Sequence, residues 1–187
     1  MQANNRSGIT LSVAILIATA LILLLMGREP ICTCGTVKFW HGAVVSSENS
    51  QHISDWYTLS HLAHGVLFYG LAHLVLGRFA LHWRLAAATL IEAAWEIVEN
   101  TDMIINRYRE ATIALDYFGD SVLNSSSDIV AMWIGFWITS RLPVWASIAF
   151  LFALEGIALY AIRDGLALNI LMLPYPLEAV RVWQAGG

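Results

Sequence analysis

Residues 8–27 (GITLSVAILIATALILLLMG) contain no charged side chain. Crossing a hydrocarbon core ~30 Å thick takes about 20 helical residues. Within that core the backbone polar groups find partners only in each other, so a single spanning segment has to be a helix. This run constrains the chain more than any other feature: it predicts a membrane helix near the N-terminus. Arg6 precedes it, as in a signal sequence, but Met26-Gly27-Arg28-Glu29-Pro30 offers no small-x-small cleavage site. The reading is an uncleaved signal-anchor. Composition agrees with the membrane class. The 187 residues are 58% hydrophobic and 13% charged, against about a quarter charged in soluble domains. A net charge of −4 with scattered basic residues gives no nucleic-acid footprint.

Four further apolar segments follow, and the expected fold is an all-α transmembrane bundle forming one domain, 1–187. The spans are read at about 8–27, 56–77, 81–98, 120–140 and 144–162. Residues 28–56 and 99–119 read as polar loops. The tail segment, 165–183, has too short an apolar stretch to span and is interrupted by Pro174 and Pro176. It is read as re-entrant or interfacial, with Tyr175 and Trp183 at headgroup level, and a distorted sixth span is the alternative. Orientation is weakly marked. An N-terminus inside puts Arg6, Arg78, Arg84 and Arg141 in the cytoplasm, and Arg28, Lys38, Arg107, Arg109, Arg163 and Arg181 opposite. The basic count leans against that arrangement, and the N-in reading rests on the signal-anchor and the short loop holding Arg78 and Arg84.

The ionisable residues inside these segments follow a pattern. Tyr57, His61 and His64 share about 60° of one helix. Glu92, Glu96 and Glu99 do the same on the next, and Asp120, Asn124 and Asp128 form a stripe on the fourth. Because chain direction alternates, His64, Glu92, Asp128 and Glu155 all fall roughly 12–14 Å from the same surface. An Asp, Lys or Arg at mid-helix costs about 2.5–3.5 kcal/mol even on the lenient insertion scale. The groups must therefore face inward, towards each other, water or a metal.

Two chemistries suit them. His61, His64, Glu96 and Asp128, with Glu92, are candidate ligands of a divalent metal ion, since imidazole and carboxylate suit zinc, manganese or iron. The same set, with Asp120 and Asn124, could instead perform acid–base catalysis without metal. The structural alternative is a hydrogen-bonded network that only holds helices together. Arg107 and Arg109, with Tyr57, are candidates for gripping an anionic head group; anchoring and ion pairing are the plainer roles. Cys32 and Cys34 are open to three readings: reduced thiols, a tight Cys-x-Cys disulfide, or ligands of a soft metal.

Several stretches carry a family resemblance: Ile31-Cys32-Thr33-Cys34-Gly35, Ser47 to His52, Asp55-Trp56-Tyr57, His61-Leu62-Ala63-His64-Gly65, Trp95 to Asn100, Ile105 to Arg109 and Asp116 to Ser121. Together they resemble the bacterial inner-membrane family known as domain-of-unknown-function family 2585, over nearly the whole chain. The resemblance implies a multi-pass protein of the bacterial plasma membrane and implies no particular activity. A looser likeness, over three helices, is to the VanZ-like membrane proteins linked to glycopeptide resistance, with His61 or His64, Glu96, Asp128 and Gly135 at the matching positions. Function borrowed from it is analogy.

Three functions remain in play from the sequence. The first is a metal- or carboxylate-dependent intramembrane enzyme acting on a lipid-linked or envelope substrate. The second is a proton- or cation-coupled carrier. The third is a non-catalytic subunit of a membrane complex. Beyond the pocket, towards the other surface, only His73, Thr89, Thr139 and Ser140 are polar, which predicts a one-sided site.

Overall fold

The computed structural model describes residues 2–112 and 116–186, with side chains from Ser7 onward; the Arg6 side chain, counted above for orientation, lies outside that set. Among the described residues there are eight α-helices and no strand. Five are long: α1 (Gln2–Leu25), α2 (Thr58–Val75), α3 (Leu81–Glu99), α5 (Val122–Thr139) and α6 (Val144–Ile162). Three are short: α4 (Asp102–Ala111), α7 (Leu166–Met172) and α8 (Glu178–Gln184). The all-helical expectation therefore holds, and the long helices occupy the five apolar segments. Two of them are long and apolar enough to cross a membrane, Ser7–Leu25 in α1 and Val144–Ile162 in α6, with mean hydropathies of 2.7 and 1.8. The other three contain most of the buried ionisable groups, which lower their hydropathy.

One sequence expectation fails. The stretch 99–119, read as a polar loop, contains α4. Ile105, Tyr108 and Ala111 repeat every third residue and are buried, and Ile105 and Tyr108 pack with Tyr117. Asp102 in the first turn and Arg109 in the last complement the helix dipole. A single amphipathic helix of ten residues was hidden by its polar outer face.

Glycines set the helix packing. A Cβ on Gly65 of α2 would lie 2.2 Å from the Met132 carbonyl oxygen, and one on Gly135 of α5 would lie 2.1 Å from that of Leu62. Hence α2 and α5 meet backbone to backbone, as small residues allow in membrane helices. α1 packs mainly on α3, where Gly8 lies against His82.

The segment 28–56 has no helix among its residues, and it folds over one end of the bundle. Backbone N–H groups of Ser121, Val122 and Leu123 donate to carbonyls of Ser50, Glu29 and Pro30. The Gln51 side chain donates to the Gly119 carbonyl at 2.7 Å, and Asn124 donates to that of His52 at 2.9 Å. Cys32 and Cys34 are joined as a disulfide, with Cα atoms 5.1 Å apart.

Burial is inverted relative to a soluble protein. Leu74, Leu90, Trp137, Trp145 and Phe152 are exposed on the outer faces of four long helices, while Glu92 and Glu96 are sealed inside. The tail forms two short helices, α7 and α8. Seven residues give α7 a length of about 10 Å, well short of a bilayer, and Tyr175 and Trp183 are exposed.

Candidate functional site

Three of the long helices bring their ionisable residues to one point. Glu92, from α3, sits between the two imidazoles of α2: its Oε1 is 2.6 Å from His61 Nδ1, and its Oε2 is 3.0 Å from His64 Nδ1. One turn along α3, Glu96 Oε1 lies 3.5 Å from the same His61 nitrogen. From α5, Asp128 Oδ2 lies 3.8 Å from His61 Nε2. His61 is thus the hub, with carboxylates on both ring nitrogens. The i, i+3 spacing of the histidines and the i, i+4 spacing of the glutamates put each pair on one helix face, which is why the pattern converges.

Glu96 is the anomaly within this cluster. Its side chain is 0% exposed, and neither carboxylate oxygen has a hydrogen-bond partner among the described residues. A buried carboxylate without hydrogen bonds costs several kcal/mol unless it meets a counter-charge or takes up a proton. Two triads converge tightly enough to share a cation: His61, His64 and Glu92, and His61, Glu96 and Glu99. In each, one ligand atom per residue lies within 4.8 Å of the others.

Around this core, most other groups are satisfied. Asp120 accepts from Asn100 Nδ2 at 2.9 Å and from the Tyr117 hydroxyl at 3.0 Å. Thr58 Oγ1 donates to Asp128 at 3.4 Å. The Tyr57 hydroxyl donates to Asp164 Oδ2 at 3.0 Å. Burial pushes Asp164 up to about 6, opposed by hydrogen bonds from Gly165 N–H, Tyr57 and Gln184.

A cavity of about 660 Å³ opens from this cluster between α2, α3, α4 and α7, within the size range of small-molecule sites. Its polar end includes His61, His64, Asp120 and Asp128, with Tyr57 beside them; its apolar wall is Leu67, Phe68, Ile91 and Trp95. Leu67 is 43% and Ile91 44% exposed, so that wall continues onto the molecule's outer surface.

The structure sorts the sequence candidates. His61, His64, Glu92, Glu96 and Asp128 meet directly. Tyr57 and Asp120 line the cavity without joining the core. Asn124 turns away to hold the His52 carbonyl and serves the loop. Arg107 lines the cavity but spends its Nε on the Leu173 carbonyl, at 2.6 Å. Arg109 donates to the Tyr117 carbonyl, bracing α4 against the chain beyond it. Glu155, read at the same depth as the cluster, lies apart from it. Its two oxygens accept the Leu166 and Ala167 N–H groups at 2.9 and 3.0 Å and so cap α7; free helix N–H groups attract a carboxylate.

Sequence reasoning missed Asn100, Tyr108, Tyr117 and Asp164. Tyr108 hydrogen-bonds Glu99, and the α4 periodicity that buries it was the available signal. Asp164 had none, because its role comes from the left-handed Arg163 (φ 54°), which ends α6 and turns the chain back.

The chain has clear relatives. A family model described as "Protein of unknown function (DUF2585)" matches residues 23–186. A UPF0314 protein of Paracoccus denitrificans is 63% identical, over 91% of this chain and 89% of its own length. UPF0314 proteins of Rhizobium meliloti and Novosphingobium aromaticivorans are 58% and 54% identical, the first over 92% of this chain and 87% of its own length, the second over 98% and 95%. No solved structure matches. With a family model covering most of its length and relatives this similar over nearly all of it, the chain belongs to the DUF2585 (UPF0314) family.

Proposed function

We propose that the chain is a multi-pass protein of the bacterial inner membrane, with α1, α2, α3, α5 and α6 as spans. In this reading it is a divalent-cation-dependent enzyme acting on a lipid-linked substrate. The observation that carries it is Glu96. A sealed carboxylate with neither oxygen hydrogen-bonded, beside a histidine shared with Glu92 and Asp128, is a poor structural tie and a good cation ligand.

His61 with His64 and Glu92, or His61 with Glu96 and Glu99, are the residues that would hold the ion, with Asp128 flanking the other ring nitrogen of His61. Their nitrogen and oxygen donors fit zinc, manganese or iron. When bound, such an ion polarises an acyl or phosphoryl oxygen, or lowers the pKa of a coordinated water. The protein's own contribution is placement. Glu92 orients both imidazoles, Tyr57 and Asp120 line the polar end of the cavity, and Arg107 stands at its rim. The apolar wall of Leu67, Phe68, Ile91 and Trp95 suits a hydrocarbon chain arriving from the bilayer, with its head group delivered to the cluster.

A carrier built on the same pocket is the second reading, and it needs a polar path to the far side. Ala72, Ala88, Met132 and Phe136 form a buried apolar cluster on that side, with Phe68, Tyr69 and Leu85 against it. Thr89 and Thr139 bond their own helix carbonyls. This favours a site open from one side only.

The deciding measurement is metal content of the purified protein, wild type against His64→Ala and Glu96→Gln. Wild type should retain about one equivalent of a divalent ion, and each variant should lose most of it while staying folded. Equal content in all three would end the metal reading.

A further inference from the structure

A second set of ligand-type side chains lies outside the membrane-depth cluster, in the segment that folds over the bundle end. Cys32, Cys34, Glu48 and His52 each present one ligand atom, and all four atoms lie within 4.8 Å of one another. Two thiols, an imidazole and a carboxylate form the donor set of a tetrahedral thiophilic site. The set is preorganised by contacts that do not depend on a metal. His52 is buried, with its side chain 0% exposed, and its carbonyl is held by Asn124. Its Nε2 lies 2.9 Å from Glu48 Oε2. The Cys34 backbone N–H donates to the Cys32 sulfur at 3.2 Å, a contact that stabilises a thiolate. Cys32 is buried while Cys34 is exposed, so one sulfur is fixed and the other is reachable by a reductant.

We infer that, once its disulfide is reduced, this loop binds a zinc-type divalent cation through Cys32, Cys34, His52 and Glu48. The chemistry has two steps. A small dithiol reduces the disulfide, becoming a disulfide itself and leaving two protein thiols. The cation then displaces one proton from each thiol, and both protons go to solvent.

Two thiolates, one carboxylate and a dication leave a net charge of −1, and Lys38 stands beside Glu48 to balance it. His52 must bind through Nε2. It therefore shifts its proton to Nδ1 and gives up a long 3.3 Å contact from the Lys38 N–H, a small loss against a metal bond. Oxidation empties the site, because the sulfur lone pairs and charge needed for the metal are consumed in the S–S bond. The loop is thus a redox-gated metal site, separate in residues and chemistry from the His61 cluster.

Cobalt(II) is the probe, since sulfur-to-cobalt charge-transfer absorption reports thiolate ligation and is silent to the nitrogen- and oxygen-only cluster within the helices. The full-length protein in detergent is titrated with cobalt(II) before and after dithiol reduction and removal of the reductant. Reduced protein should take up one thiolate-bound ion, displaced by zinc; the oxidised protein should show no such band. Cys34→Ser should abolish the band, and His52→Ala and Glu48→Gln should each weaken binding tenfold or more. His64→Ala should leave the band unchanged. A reduced protein without the band overturns the site, and so does binding that His52→Ala and Glu48→Gln leave unaltered. Should Cys34→Ser or His52→Ala fail to fold, Glu48→Gln, at a half-buried position, and the oxidised wild type still decide the matter.

Discussion

Asp164 shows how much depends on where a single carboxylate sits. It is 0% exposed, between Tyr57 of the cavity and Gln184 of the tail, and burial lifts it from 3.8 to about 6. The native state then holds its proton more tightly than the unfolded chain does. The resulting stability is complete below about 4 and is lost as pH rises through about 6, on the order of 2–3 kcal/mol from a shift of this size. Asp164→Asn can keep the contacts by reversing the Tyr57 hydrogen bond. Thermal unfolding in detergent should therefore show wild type weakening between pH 4 and 6.5 relative to Asp164→Asn. Parallel curves for the two proteins would mean that Asp164 is ionised throughout. This residue was invisible in the sequence, because a lone Asp after an apolar run looks like a solvent-facing helix end.

Among the elements, α2 and α5 were the most legible, and the reason is periodic. His61 and His64, and Asn124 and Asp128, repeat at helical spacing, and the cost of a charge in apolar surroundings fixes which way His61, His64 and Asp128 point. α3 was legible on the same grounds. What the sequence hid was the partner of each remaining group. Glu155, expected at the depth of the cluster, instead accepts from the free N–H groups of α7, an element too short to be read from periodicity. The close approach of α2 to α5 was equally hidden, since Gly65 and Gly135 lie seventy positions apart and nothing local pairs them. It can be tested within one helix. Gly65→Ala forces a methyl onto the Met132 carbonyl and should destabilise the protein by about 1–3 kcal/mol. Gly70→Ala, on the same helix with nothing within 4 Å of its added carbon, should be neutral or gain up to about 1 kcal/mol from helix propensity. Equal unfolding midpoints for the two variants would contradict the packing.

For the whole molecule, apolar outer faces enclose a charged interior, with the polar loops and short helices gathered near one end. The five spans proposed above, with the N-terminus inside, give a testable layout. Reporter fusions at Arg78 and Arg141 should register the cytoplasm. Fusions at Gly42 and at Asp116 should register the opposite compartment, the one facing the cysteine loop. An even number of crossings between Arg78 and Asp116, read as the same compartment for both, would refute the arrangement.

The glycine contact between α2 and α5 has a mechanical corollary. Those two helices, which supply His61, His64 and Asp128, are clasped into a stiff half, whereas Glu92 and Glu96 ride on α3, whose main neighbour is α1. The cluster therefore straddles a seam between two separately braced halves of the bundle. An ion lodged there would act as a bolt across that seam, and stripping it away should let the halves drift apart where the lipid-facing mouth opens.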